Sequence, residues 1–255
     1  MSAVGLTLRQ VRYVNKAFWR NPASAFFLFA FPLMFLVIFT ALLGNGTVYV
    51  SGKAVGEATY YVAAMASFGV ITACYHNTAI NMTFQRDSGV LKRTNGTPLP
   101  GSSFLGGRVI HAIFIAVLLV AVTSAFGLAF YGATVPTGAT MLRFLAMLLV
   151  GSATFCALGF ALTAAIPNED AAASIVNATI LPLLFLSGIF IPLGKNSPLW
   201  ILWLARVFPV KHFFDGMQAG FLGTPFHWTD LAIVAAWGVA GLLLAVRFFS
   251  WEPRK

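Results

Sequence analysis

Long apolar runs, each closed by Pro, Gly or charged positions, dominate the hydrophobic pattern of this chain. A bilayer's hydrocarbon is roughly 30 Å thick and a helix rises about 1.5 Å per residue, so about 20 apolar residues suffice to cross it. Six runs of that kind occur: Ala23 to Leu43, Ala58 to Met82, Ile110 to Tyr131, Met141 to Ile166, Ala171 to Ile191 and Leu231 to Phe249. Stretches such as Phe26 to Phe31 are continuously apolar. Barrel strands would alternate over about ten residues, so helices are predicted. Pro32 and Pro182 fall inside two runs, where they can kink a helix whose freed carbonyls neighbours or water then satisfy. Residues 192–230, between the fifth and sixth runs, are half apolar and broken at Pro198, Pro209 and Pro225. No piece of that segment is long enough to span.

Composition agrees with lipid as the solvent. The 255 residues are 59% hydrophobic and only 9% charged, with a mean hydropathy of +0.84, whereas an ordinary soluble chain is about 25% charged. A water-soluble monomer is excluded, and the expected fold class is an all-α integral membrane protein forming one transmembrane domain over residues 1–255. Cys74 and Cys156 both lie in apolar runs and read as small core residues rather than a disulfide or thiolate metal pair.

The formal charge of +9 would suggest nucleic acid as partner in a soluble protein, but no aromatic-interleaved basic face or nucleic-acid motif is present. The basic residues instead sort by side. Threading the six runs alternately puts Arg9, Arg12, Lys16, Arg20, Arg86, Lys92, Arg93, Arg108, Arg247, Arg254 and Lys255 on one side, against Lys53, Arg143, Lys195, Arg206 and Lys211 on the other. The positive-inside rule then makes both termini cytoplasmic. Glu169 and Asp170 fall on that same side, and acids contribute little to the rule.

Ahead of the first run, Arg9, Arg12, Lys16 and Arg20 fall within about 80° on a helical wheel, with Val4, Val11, Val14 and Phe18 opposite. Residues 1–22 therefore read as an amphipathic helix in the inner interface, the alternative being a plain basic tail. A cleaved signal peptide fits less well, because the first apolar run is too long and no convincing Ala-x-Ala site follows it.

Motifs for enzymatic chemistry are missing: the chain has no His-Glu-x-x-His, Gly-x-Ser-x-Gly or Cys-x-x-Cys. The nearest approach to a P-loop, ending Gly52-Lys53-Ala54, has the wrong spacing and no hydroxyl. If ATP drives this protein, another chain binds it. Asp87, Glu169, Asp170, Glu252, Glu57, Asp215 and Asp230 all fall at the ends of runs or between them, so no carboxylate marks a coupling-ion site in mid-membrane.

Polar positions inside the runs are the remaining candidates. Thr72 and His76 lie one turn apart in the second run with Asn77 and Asn81 beside them, and the fifth run carries Ser174, Asn177 and Thr179. Polar groups are costly in lipid and face protein or water, so these residues are candidates for a pathway or dimer interface; the alternative is hydrogen bonding between helices.

The connection Gln85 to Pro100 is short, charged and punctuated: Arg86, Asp87, Lys92 and Arg93 surround Val90 and Leu91, and Pro98 and Pro100 stop any helix. On these facts it is either a short helix along the membrane surface, able to press on a partner, or a solvated loop. The segment resembles the cytoplasmic motif of type-2 ABC exporter permeases. Leu183-Leu184-Phe185-Leu186-Ser187-Gly188-Ile189-Phe190-Ile191-Pro192, continued by Pro198-Leu199-Trp200, is similar to that family's signature at the end of the fifth span. Phe208-Pro209-Val210 through Phe221-Leu222-Gly223 resembles the segment before the sixth. The likeness covers essentially the whole chain, with departures at Ser88, Val90 and Gln218.

The resemblance implies an elbow helix at Arg9 to Arg20, short helices re-entering the outer leaflet from Pro198 to Leu222, and a coupling loop over residues 83–109. In that loop Arg86, Asp87, Gly89, Leu91, Lys92 and Arg93 would contact an ATP-binding subunit. It also implies a second permease chain, identical or related, ATP and Mg bound only by the partner, and a place in the cytoplasmic membrane. The cargo implied is a hydrophobic or amphipathic compound, in the manner of the drug and antibiotic exporter branch. A polysaccharide or glycolipid permease and a gradient-driven carrier are the alternatives.

Overall fold

The computed structural model describes residues 2–43, 46–50, 52–193 and 198–253; Lys195, Arg254 and Lys255, used above to sort charge, lie outside the described residues. Among the described residues six helices are long and apolar enough to cross a membrane: α2 (Pro22–Leu43), the continuous helix α3 (Glu57–Ile71) and α4 (Asn77–Asp87), α6 (Gly101–Tyr131), α7 (Ala139–Leu162), α8 (Glu169–Ser187) and α11 (Trp228–Phe248). They are joined by four shorter helices: α1 (Ala3–Trp19), α5 (Val90–Asn95), α9 (Leu199–Val207) and α10 (Pro209–Leu222). Helices α2 and α8 run on through Pro32 and Pro182.

The second span is the axis of the bundle and is almost wholly buried, whereas the first, third, fifth and sixth spans leave most of their surface outside. Its sequence explains the position. Ala58, Ala63, Ala64, Ala66, Ser67 and Ala73 are small, so neighbouring helices approach closely; with no hydrophobic drive between helices in lipid, such packing is what holds a bundle together. Leu119 of α6 and Phe190 beyond α8 join Tyr61, Phe68 and Ile71 in that core.

At one end, here the basic end, α1 lies along the first turns of α6, where Ser103 Oγ donates to the Ala3 carbonyl at 3.2 Å. Arg9, Arg12, Lys16 and Arg20 stay exposed on the outer side of α1. That contact explains why α6 starts at Gly101 rather than Ile110: Ser103, Phe104, Gly107 and His111 form a buried stripe at helical spacing within an otherwise polar stretch. The chain's last described residues return to the same end, where Trp251 meets Phe104 with ring centroids 5.7 Å apart.

The opposite end carries an element absent from the all-α expectation, an antiparallel hairpin of β1 (Thr47–Val50) and β2 (Lys53–Gly56) in which Val50 pairs with Lys53 and Thr47 with Gly56. Thr-Val-Tyr-Val is a strand-forming run too short to stand out beside the spans. The hairpin is latched to the bundle by Lys53 Nζ, which donates to the Leu222 carbonyl at the end of α10 at 3.0 Å. Thr134, after α6, donates from its backbone to Thr59 Oγ1 (3.1 Å) and from its hydroxyl to the Phe221 carbonyl (2.8 Å). Of the two short helices in the half-apolar segment, α10 is buried along most of its length, while α9 exposes Leu199, Trp200 and Trp203.

Candidate functional site

At the basic end the second span finishes with Arg86 and Asp87, turns at Ser88 and Gly89, and restarts as α5. The turn needs Gly89: its φ of 73° lies in the left-handed region that a side chain disfavours. Arg93 closes the turn from the other side, donating to the Ser88 and Gly89 carbonyls at 3.3 and 3.4 Å. Leu91 is fully buried and pins α5 to the bundle, while Val90, Lys92 and Arg93 remain exposed.

Arg86 is 2% exposed, and each of its three guanidinium nitrogens donates a hydrogen bond. Nε donates to Asp87 Oδ1 at 2.8 Å, Nη1 to the Thr163 carbonyl at 3.0 Å and Nη2 to the Pro167 carbonyl at 3.1 Å. The last two lie in the connection between α7 and α8, so one side chain ties the α4–α5 turn to that second connection. Asn168 caps α8 there, its side chain accepting from the Ala171 N–H at 3.0 Å. Glu169 and Asp170 occupy the first turn of α8, where acids meet the positive end of the helix dipole, which is why carboxylates stand at an otherwise basic end. Of the six coupling candidates, Lys92 and Arg93 thus face outward, Gly89 shapes the turn, Asp87 is partly buried beside Arg86, and Arg86 and Leu91 face inward.

The polar positions within the spans divide into two groups. The second span contains one π-helical turn, Thr72–His76, a feature that widens the helix locally and is common at functional sites. Thr72 donates to the Phe68 carbonyl at 2.9 Å. Within the turn Tyr75 Oη and Thr179 Oγ1 are 2.8 Å apart; since the Thr179 hydroxyl donates to the Val176 carbonyl, Tyr75 is the donor. His76 lies beside Asn177. His76, Asn177 and Thr179 therefore meet on one seam between the second and fifth spans, joined by Tyr75, which the sequence pattern concealed among apolar neighbours. Ser174 on α8 is exposed. Asn77 and Asn81 face elsewhere: Asn81 Nδ2 donates to the Asn77 carbonyl and to Asn77 Oδ1 at 2.8 and 2.7 Å, and both residues line a cavity of about 500 Å³ between α1, α4 and α6.

A second recess, of about 510 Å³, opens at the hairpin end between β1, α9, α10 and α11. Lys211 Nζ meets Asp215 Oδ1 at 2.5 Å. His212 Nδ1 meets Asp230 Oδ1 at 2.6 Å, and its Nε2 meets the Arg206 carbonyl at 2.9 Å. Both ring nitrogens of His212 thus have partners in the recess. Burial in the recess pushes the Asp215 carboxyl above its ordinary value, against the pull of Lys211 and His212 and with a smaller upward push from Asp230. Lys211 and Asp215 stand four residues apart, the spacing of an ion pair on one helix face, so that pair was legible in the sequence, whereas nothing in the spacing pairs His212 with Asp230.

The fold and this geometry define a polytopic membrane protein whose basic end carries a short helix tied to two connections, and whose spans bury polar seams. A model of the ABC-2 type transporter family matches residues 7–222. The chain belongs to that family and is a transport permease, the membrane subunit of an ABC transporter rather than an enzyme in its own right. A relative from Porphyra purpurea, ycf38, named as a transport permease, is 24% identical over 224 residues, which cover 86% of this chain and 75% of the relative.

Proposed function

We propose that the chain is the permease of an ATP-driven exporter in which a separate subunit binds ATP and Mg and works on the membrane helices through α5. The observation that carries this reading is the Arg86 lock. A push on the exposed Val90, Lys92 and Arg93 is delivered through buried Leu91 and Arg86 to the second span and to the α7–α8 connection together. A loose loop could not transmit it.

The basic end is the cytoplasmic one, with both termini there, because Arg9, Arg12, Lys16, Arg20, Lys92, Arg93 and Arg247 gather at it. In this orientation α1 is the elbow helix in the inner interface, and α9 and α10 re-enter the outer leaflet. Two permease chains pack with the pathway between them. The exposed, mostly apolar flank of α8, with Ser174, Leu181 and Phe185, supports a lining for hydrophobic or amphipathic cargo of the drug or antibiotic kind.

The test is reconstitution of the chain with its ATP-binding partner in vesicles. The double change Val90→Asp, Lys92→Glu alters only exposed side chains, leaves the turn-closing bonds of Arg93 in place, and is expected to lower partner-dependent transport at least tenfold with insertion and thermal stability retained. Unchanged transport in that variant would contradict the coupling role. Transport by the wild-type chain without any nucleotide-binding partner would favour a gradient-driven carrier.

A further inference from the structure

The cavity at the basic end contains two buried nitrogens without hydrogen-bond partners, Arg108 Nε and His111 Nε2, and His111 is only 6% exposed. The Arg108 guanidinium lies 4.4 Å from the centroid of the Phe104 ring and donates to Gln85 Oε1, a neutral acceptor. No carboxylate lines the cavity, and among the described residues Arg108 forms no ion pair. A largely buried cation with no counter-charge is costly, and buried polar nitrogens without partners are uncommon enough to require an explanation. An anion accepting from Arg108 Nε–H and from His111 in the tautomer that carries its proton on Nε2 would satisfy each of them.

Depth identifies the anion. Helix α6 has 31 residues, about 46 Å of helix against roughly 30 Å of hydrocarbon. About 20 residues counted back from Tyr131 reach Ala112, which puts Arg108 and His111 at the hydrocarbon boundary, where lipid phosphates lie. The upper wall is apolar, with Phe18, Ala112 and Ile115, and the His111 ring packs edge-on against Phe18 at 5.6 Å. A polar floor below an apolar wall at this depth matches a phosphate attached to acyl chains. The exposed Arg9, Arg12, Lys16 and Arg20 on α1 enrich anionic lipid beside the opening.

We propose that this cavity is a binding site for an anionic phospholipid. Arg108 and His111 hold its phosphate, and its chains run along Phe18 and Ile115, wedging α1 against the second and third spans. The site is independent of the transport reading and needs no partner subunit.

The test uses the full chain purified in a non-ionic detergent, its thermal unfolding followed with a thiol-reactive dye on the buried Cys74 and Cys156. Phosphatidylglycerol, phosphatidylcholine and inorganic phosphate are added in separate arms. Phosphatidylglycerol is expected to raise the midpoint by about 5 °C more than phosphatidylcholine, as a saturating ligand of the folded state does. Inorganic phosphate is expected to give no shift. Arg108→Gln removes the difference between the lipids, and Arg108→Lys keeps part of it. Should Arg108→Gln fail to fold, Ala17→Trp fills the cavity with the arginine intact and removes the difference in the same way. Equal protection by the two lipids would overturn the proposal, as would protection by phosphate alone matching that by phosphatidylglycerol, or a phosphatidylglycerol preference that survives both Arg108→Gln and Ala17→Trp.

Discussion

Replacing Arg86 with Met keeps the aliphatic stem that packs at the end of the second span and removes all three hydrogen bonds of the guanidinium. Two of the acceptors are carbonyls in the α7–α8 connection, and a buried acceptor left without its donor costs about 1–3 kcal/mol. Asp87, which is 14% exposed, loses its ion-pair partner as well. Breaking a buried charged contact on one side costs about 3–5 kcal/mol, and water reaching the partly exposed Pro167 and Asp87 sites keeps the sum near the lower end, about 3 kcal/mol. For a chain of this size that corresponds to a fall in Tm on the order of 10 °C. Cys74 and Cys156 are both buried and free, so a thiol-reactive dye reports their exposure as the purified protein unfolds. Arg86→Lys keeps the charge but reaches fewer acceptors and is expected to recover less than half of the loss. An Arg86→Met protein within about 3 °C of wild type, about the shift expected for 1 kcal/mol, would refute the view that this side chain locks the two connections together.

A Cβ at Gly159 would come within 2.8 Å of the Tyr75 carbonyl in the π-helical turn, and backbone cannot swing aside as a side chain can, so Gly159→Ala is expected to lower stability by about 1–3 kcal/mol, read by the same dye. His212→Phe abolishes the contacts to Asp230 and to the Arg206 carbonyl and leaves Asp230 alone; a loss of about 2–4 kcal/mol is expected, with faster proteolysis after Arg206 as a second readout. Because burial raises the folded-state pKa of Asp215, the folded chain holds that proton more tightly than the unfolded chain. Stability therefore falls as pH rises from the ordinary carboxyl value through the raised one, and Asp215→Asn is expected to remove this component from a Tm-against-pH series. Lys53→Met removes the bond to the Leu222 carbonyl and is expected to cost about 1 kcal/mol, with hydrogen exchange rising selectively in β1 and β2.

The six spans were legible because continuous apolar runs bounded by charge and Pro leave few alternatives, and α1 was legible from the wheel that segregates Arg9, Arg12, Lys16 and Arg20. Element ends were less so. Helix α6 begins at Gly101 because α1 covers Ser103, Phe104 and Gly107, a tertiary contact that hydropathy does not register. The π-helical turn was invisible for a similar reason: it is fixed by what packs around Tyr75, above all Gly159 and Thr179, and the composition of Thr72–His76 is ordinary. The connection between the second and third spans was found as a segment, but a linear motif cannot say which side chains turn outward. Arg86 read like Lys92 until its three acceptors were seen, and Arg108 entered only as a charge that sorts sidedness. Arg206, Lys211 and Asp215 were expected on short re-entrant helices with no partners assigned, whereas folding pairs Lys211 with Asp215 and His212 with Asp230.

The central claim, that α5 is where an ATP-binding subunit takes hold, is tested most directly by site-directed crosslinking in native membranes. A single Lys92→Cys or Val90→Cys change adds an accessible thiol beside the two buried native ones. A bifunctional maleimide there is predicted to yield one adduct with a P-loop ATPase, and the same reagent on Tyr49→Cys, exposed on the hairpin at the opposite end, is predicted to yield none. A P-loop adduct at position 49 with none at 90 or 92 would invert the orientation and contradict the account, and the absence of any P-loop adduct from a folded, inserted protein would contradict the role of α5.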